Sequence, residues 1–135
     1  MRSGERPTAL VVAVGVVAAE ALALVAVVVF YGVELSRGAA AVPTGAVATA
    51  VLAAALAVGL VLCSRALLGR SRWGRAPLIT WQLFQVVLTA PLVTGPLWPV
   101  AAVFVVLAVV AGVCLASRAL SVWVGDDDAA GPPVH

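Results

Sequence analysis

Four long apolar runs, separated by short polar or proline-containing stretches, account for most of the chain. A proline stands directly before or at the start of each run: Pro7, Pro43, Pro77 and Pro99. Proline suits the first helical turn, where its missing N–H would have had no partner. Taken as start marks, these prolines predict helices over about 8–31, 43–64, 77–95 and 99–120. A bilayer span needs about 20 apolar residues, with a range of about 17–25. All four runs fit, the third being the shortest. The expected fold is all-α, a membrane bundle of four transmembrane helices within residues 1–124. A disordered acidic cytoplasmic tail is expected over 125–135, where three consecutive aspartates precede a proline pair.

The connectors refine this layout. Thr94 to Trp98 form a tight uncharged turn with Gly95-Pro96 as its breaker, so the third and fourth helices should make an antiparallel hairpin. Between the second and third helices lies a basic connector with Arg65, Arg70, Arg72 and Arg75. Composition then rules out a water-soluble domain. The chain is 64% hydrophobic and 10% charged, against about 45–50% and about 25% for a soluble protein. Arg2 and Arg6 before an apolar run resemble the opening of a secretory signal. The run continues to Tyr31, however, and that length suits a span better than a signal core of about 7–15 residues.

Charge placement orients the bundle. Seven of the eight arginines precede the first helix, lie between the second and third, or close the fourth; only Arg37 falls on the other side. The positive-inside rule makes the arginine face cytoplasmic, with both termini inside a multi-pass protein of the cell membrane. Trp73, Trp98 and Trp123 fall near the predicted boundaries, as an aromatic belt requires. Arg65, Arg70, Arg72 and Arg75 should set topology and attract anionic lipid headgroups at the cytoplasmic face, at about 1 kcal/mol each. An acidic protein partner is the rival occupant. Nucleic acid is not expected, because no folded module carries these arginines.

One residue conflicts with the apolar pattern. Glu20 lies 12 residues into the first predicted helix, about 18 Å along its axis. A charge near the midplane costs about 2.5–3.5 kcal/mol on insertion scales, so Glu20 must face other helices, be protonated, or both. The third helix carries the only two glutamines. Gln82, Gln85 and Thr89 are spaced i, i+3, i+7 and share one face. Gln85 and Thr89, 8 and 12 residues past Pro77, reach depths comparable to Glu20. An intramembrane polar seam is therefore expected, with Glu20 against Gln85 and its neighbours Gln82 and Thr89. Pro91 should disturb the outer third of the helix by leaving the Val87 carbonyl without its helical donor.

Small residues at four-residue spacing mark expected close-packing faces: Gly15, Ala19 and Ala23; Ala55 and Gly59; Ala108, Gly112 and Ala116. Ser64-Arg65-Ala66-Leu67 recurs as Ser117-Arg118-Ala119-Leu120. A repeat would also require a match between the first and third helices, and there is none. Cys63 and Cys114 lie within apolar runs, without metal spacing. No nucleophile–base pairing or phosphate loop can be read, and Asp126, Asp127 and Asp128 lack a preorganised cage. No enzymatic activity, cofactor or metal is expected.

Glu20-Ala21-Leu22, the basic connector, and Arg75-Ala76-Pro77 followed by Trp81-Gln82-Leu83 and Gln85 resemble a group of uncharacterised actinobacterial small four-helix integral membrane proteins. The resemblance spans most of 8–120 and implies the topology and the pairing of those motifs, with no assigned activity. Ala18-Ala19-Glu20 also looks similar to the first-helix site of the small multidrug resistance exporters. The chain departs from them afterwards, lacking their Trp-x-Gly-x-Gly pattern and second-helix aromatics and carrying a long basic connector. The leading expectation is an interaction or assembly component, with a protein partner or a homo-oligomer. The alternative is a proton-coupled small exporter using Glu20. An apolar, aromatic-lined cavity around Glu20 would favour the exporter, and a tightly filled seam would favour assembly.

Overall fold

The computed structural model describes residues 5–125. The expected acidic tail, except Gly125, and Arg2 lie outside the described residues. Within them the chain is helical: α1 (Thr8–Ser36), α2 (Pro43–Leu68), a 3-10 turn at Arg72–Gly74, α3 (Arg75–Thr89), a second 3-10 turn at Ala90–Leu92, α4 (Trp98–Ala116) and a short α5 (Arg118–Trp123). Three helices, α1, α2 and α4, are long and apolar enough to cross a membrane. Large apolar side chains such as Leu22, Val51, Leu83, Val87 and Val113 are exposed around the bundle. This arrangement suits a helical protein whose surroundings are lipid.

The starting prolines act largely as expected. Pro7 stands at the N-cap of α1, and prolines occupy the opening of α2 and α4. The boundaries otherwise differ from the sequence reading. α1 and α2 run to Ser36 and Leu68, past the expected 31 and 64. α3 begins two residues before Pro77 and ends at Thr89 instead of 95. Pro91 explains that ending. It has no N–H to continue the α-helical ladder, and the Ala90 N–H instead reaches both Val86 and Val87 carbonyls as the chain tightens into the 3-10 turn.

The helices form a ring in the order α2, α1, α4, α3. α1 packs most extensively on α2 and next on α4, α3 packs on α4, and the α2–α3 edge is the weakest. A groove of about 610 Å³ opens along that edge. The core lies towards the arginine-bearing end, where Leu10, Leu67, Leu78, Leu115 and Leu120 are fully enclosed. α1 buries Leu10, Ala13, Val17, Glu20 and Ala21 and nothing beyond them. Its far half is thus covered only partially.

The expected small-residue faces are used unevenly. Ala108 is buried and Gly112 faces Gln82, whose Cβ a side chain at Gly112 would meet at 4.0 Å. Gly15, Ala19, Ala23 and Ala55 instead face outward, and a Cβ at Gly15 or Gly59 would meet nothing within 4 Å. The α1–α2 contact is built from other positions.

The basic connector folds back along α2 rather than extending away from it. α2 ends in a Schellman-type cap, with the Ser71 N–H on the Ala66 carbonyl and the Arg70 N–H on the Leu67 carbonyl. Arg70 takes the left-handed position, φ 61°. The following turn packs so closely on α2 that a Cβ at Gly74 would lie 2.5 Å from the Cys63 carbonyl oxygen. Cys63 is five residues before the end of α2, so α3 starts about 8 Å inside that end. This inset start accounts for how α3 can be only 15 residues long.

At the same end, one repeated tetrapeptide takes two forms. Ser64-Arg65-Ala66-Leu67 lies within continuous α2, whereas Ser117 breaks the helix, with ψ 148°, and caps α5 through its Oγ. The Arg75 Nε donates to the Leu115 carbonyl at 2.7 Å. In an unbroken helix that carbonyl would accept from Ala119, so Arg75 supplies the donor that the break removes.

Candidate functional site

The carboxyl group of Glu20 is the centre of the polar contact. α1 and α3 are diagonal across the ring, so this side chain reaches through the middle of the bundle. It is 3% exposed. The Trp81 indole N–H and the Gln82 amide N–H both donate to Oε2, each at 3.0 Å. Two donors from one short helix therefore hold a single carboxyl oxygen. Such donors make a buried acidic side chain tolerable among apolar helices.

The expected seam residues come together, with a change of partner. Gln82, Gln85 and Thr89 are all buried along one face of α3. Gln85 was the expected ligand of Glu20, yet Gln82, almost one turn nearer the arginine end, makes the bond. The inset start of α3 moves every residue of that helix deeper than a helix counted from the end of α2 would place it. That displacement, about five residues, brings Gln82 level with the carboxyl. Gln85 lies beside the carboxyl without a contact as short and well aligned as those of Trp81 and Gln82, and Glu20 Oε1 and Gln82 Oε1 are enclosed beside it. Thr89 shares the buried face but not the contact with Glu20: its hydroxyl donates back to the Gln85 and Val86 carbonyls of its own helix.

Trp81 is the one donor to Glu20 that the spacing of polar residues does not reveal. Its signal is adjacency: beside Gln82 in the sequence, it needs only a long ring to reach a group on the same side of the helix. Trp81 also lines the groove between α2 and α3, so one ring separates that groove from Glu20.

A cleft of about 250 Å³ lies on the far side of the carboxyl, between the outer half of α1 and the α3–α4 hairpin. Glu20, Trp81, Gln85 and Thr89 contribute to its lining, with Val27 and Phe104 among its apolar walls. The cleft is therefore an apolar space beside the seam, and the carboxyl itself stays enclosed.

The connector arginines divide. Arg65, Arg70 and Arg72 are exposed. The Arg70 guanidinium sits over the Trp123 ring, 4.2 Å from its centroid, and the Trp123 indole N–H donates to the Leu67 carbonyl at 2.9 Å. Arg75 is half-buried and caps α4, a structural task that its place in a basic loop did not suggest. Trp73 and Trp98 are exposed at opposite ends of the bundle, and Trp123 is packed inward.

The chain matches no protein-family model, no curated protein and no solved structure. The site's geometry therefore stands as the basis for a functional reading.

Proposed function

We propose that this protein is a four-span component of the cell membrane, with both termini cytoplasmic, whose role is interaction or assembly. One observation carries the reading. The small-residue faces Gly15/Ala19/Ala23 and Ala55/Gly59 have the spacing that lets helices approach closely, yet they are largely turned away from the chain's own packing. Space beside Gly15 and Gly59 suits the backbone of another transmembrane helix. The fourth span is α3 with its 3-10 extension, whose inset start shortens the distance it must cover. Arg65, Arg70 and Arg72 support the orientation and the contact with anionic headgroups.

The test is purification in mild detergent and in native nanodiscs. A stoichiometric partner or a homo-oligomer is expected. Gly15→Leu and Gly59→Leu should weaken that association and leave the thermal melt of the chain intact. A monomer with no copurifying protein rejects the reading.

The cleft beside Glu20 favours a second reading, a proton-coupled small exporter. Flux in proteoliposomes that is lost in Glu20→Gln would support it. No proton-coupled flux for the native chain would reject it.

A further inference from the structure

The end of the bundle away from the basic connector holds a cleft unlike the apolar spaces beside Glu20 and Trp81. Its volume is about 440 Å³, and it lies between the last turns of α1, the loop at 39–42 and the opening of α2. Phe30, Tyr31 and Glu34 form its α1 wall, and Thr49 lines the α2 side. Glu34 is 26 residues past Thr8, the start of α1, which is about 39 Å along the helix. A hydrocarbon core is about 30 Å thick, so the cleft opens at headgroup level, within reach of water. Its polar side chains are accessible, since Glu34 and Tyr31 are half-buried and Thr49 is exposed. Among the described residues the Glu34 carboxyl makes no ion pair or hydrogen bond, and Arg37, three positions on, lies outside the cleft wall. Phe30 and Tyr31 stand edge to face, with centroids 5.4 Å apart and planes at 78°, and Phe30 is 59% exposed. The Thr49 hydroxyl donates to the Gly45 carbonyl at 2.9 Å and keeps only lone pairs for a ligand.

We propose that this cleft binds a quaternary ammonium group. Aromatic ring faces are negative and attract a cation, and two rings set at right angles offer it a corner rather than a single surface. Glu34 supplies the opposite charge on the same wall. A quaternary ammonium has no N–H, so it requires no converging acceptors, and its methyl groups pack on the rings and on the alanines of the loop. A primary ammonium is strongly hydrated and has three donors to satisfy. The acceptors here are divided between the α1 and α2 walls, which suits it less well. An anion meets the Glu34 carboxylate and is repelled. A neutral apolar group gains the rings and leaves the carboxylate without a counter-charge. The volume exceeds that of a trimethylammonium group and leaves room for the chain that bears it. A free cation such as choline and the phosphocholine headgroup of a lipid share this chemistry, and a site at headgroup level is open to both. Neither assembly nor transport is required, and an oligomerisation or flux result of either sign leaves the site standing.

The experiment uses the full chain in phosphatidylglycerol nanodiscs and saturation-transfer NMR on the N-methyl signal of choline, with empty nanodiscs as the control for surface attraction. Saturable binding above that control is expected. Glu34→Gln should weaken it about five-fold, the effect of one unit charge at contact distance in watery surroundings. Phe30→Leu should weaken it about two- to five-fold, as loss of one exposed cation–aromatic contact does. Glu34 is half-buried with an unbonded carboxyl and Phe30 is exposed, so both variants should keep the native melting curve. The neutral isostere 3,3-dimethylbutan-1-ol and the primary amine ethanolamine should each bind about five-fold more weakly than choline. Phosphatidylcholine added to the nanodiscs should displace choline if the site takes a lipid headgroup, and undisturbed choline binding assigns it to the soluble cation. Absence of saturable binding overturns the site. Equal or tighter binding of the isostere or of ethanolamine overturns the ligand class. Undiminished binding in both variants places the cation elsewhere and overturns the assignment.

Discussion

The two hairpins of this bundle are built on different principles. α1 and α2, 29 and 26 residues long, would each span about 40 Å or more at 1.5 Å per residue. Together they make the most extensive helix pair in the chain, by continuous apolar contact. α3 and α4 are 15 and 19 residues, and the pair is fastened to the first hairpin at named points. Those points are Glu20 with Trp81 and Gln82, Gly74 against Cys63, and Trp123 on the Leu67 carbonyl; Arg75 on Leu115 fixes the pair's own end. Apolar contact between helices in lipid has little directional preference, because lipid is as apolar as the side chains. The long hairpin is therefore tolerant of sliding, and the short one is held in register by contacts that admit one arrangement.

If this contrast is right, substitutions at the fastening points should detach the second hairpin and leave the first helical. Gly74→Ala should have the largest effect, since the added Cβ meets a backbone carbonyl that cannot move aside without shifting α2. A loss of about 2–3 kcal/mol is expected, the upper part of the overpacking range. Free Cys63, buried beneath this turn, supplies the readout. Its maleimide labelling in detergent should accelerate, and an unchanged rate would show that the close approach is not needed.

Gln82→Leu should come next, because it removes one of the two donors on Glu20 and leaves a buried carboxyl less satisfied. The expected loss is about 1–2 kcal/mol by denaturant titration in micelles. The double variant Gln82→Leu with Glu20→Leu should recover part of it, and no recovery would mean that Gln82 acts through packing alone. Trp123→Phe keeps a ring beneath Arg70 but loses the bond to the Leu67 carbonyl. A destabilisation of about 1 kcal/mol is expected, confined to the arginine end in hydrogen exchange. Ser64→Ala should be the smallest and opposite in sign. Its buried hydroxyl has no partner, and alanine is the better helix former, so the melt should stay level or rise by up to about 1 kcal/mol. A clear loss there would show that the first hairpin, too, depends on specific polar contact.

The apolar pattern carries a good deal without coordinates. Long apolar runs mean helices because every backbone polar group must be satisfied inside lipid, and prolines mark where three of them open. Glu20 was legible as a residue needing a partner, since no other acid interrupts an apolar run so deeply. The spacing of Gln82, Gln85 and Thr89 placed them on one face. Which glutamine would meet the carboxyl was not legible, because that depends on how far the connector folds back along α2. That fold-back rests on a fit between Gly74 and a carbonyl eleven residues earlier. The same holds for Ser64 and Ser117. Identical tetrapeptides share local propensity, and one breaks its helix where Arg75, 40 residues from Leu115, supplies the missing donor. The sequence by itself determined which segments are helical and apolar and which groups require partners, because those are one-dimensional properties of polarity and period. Only the tertiary structure decided their register and their pairing, because these depend on contacts between residues far apart in the chain.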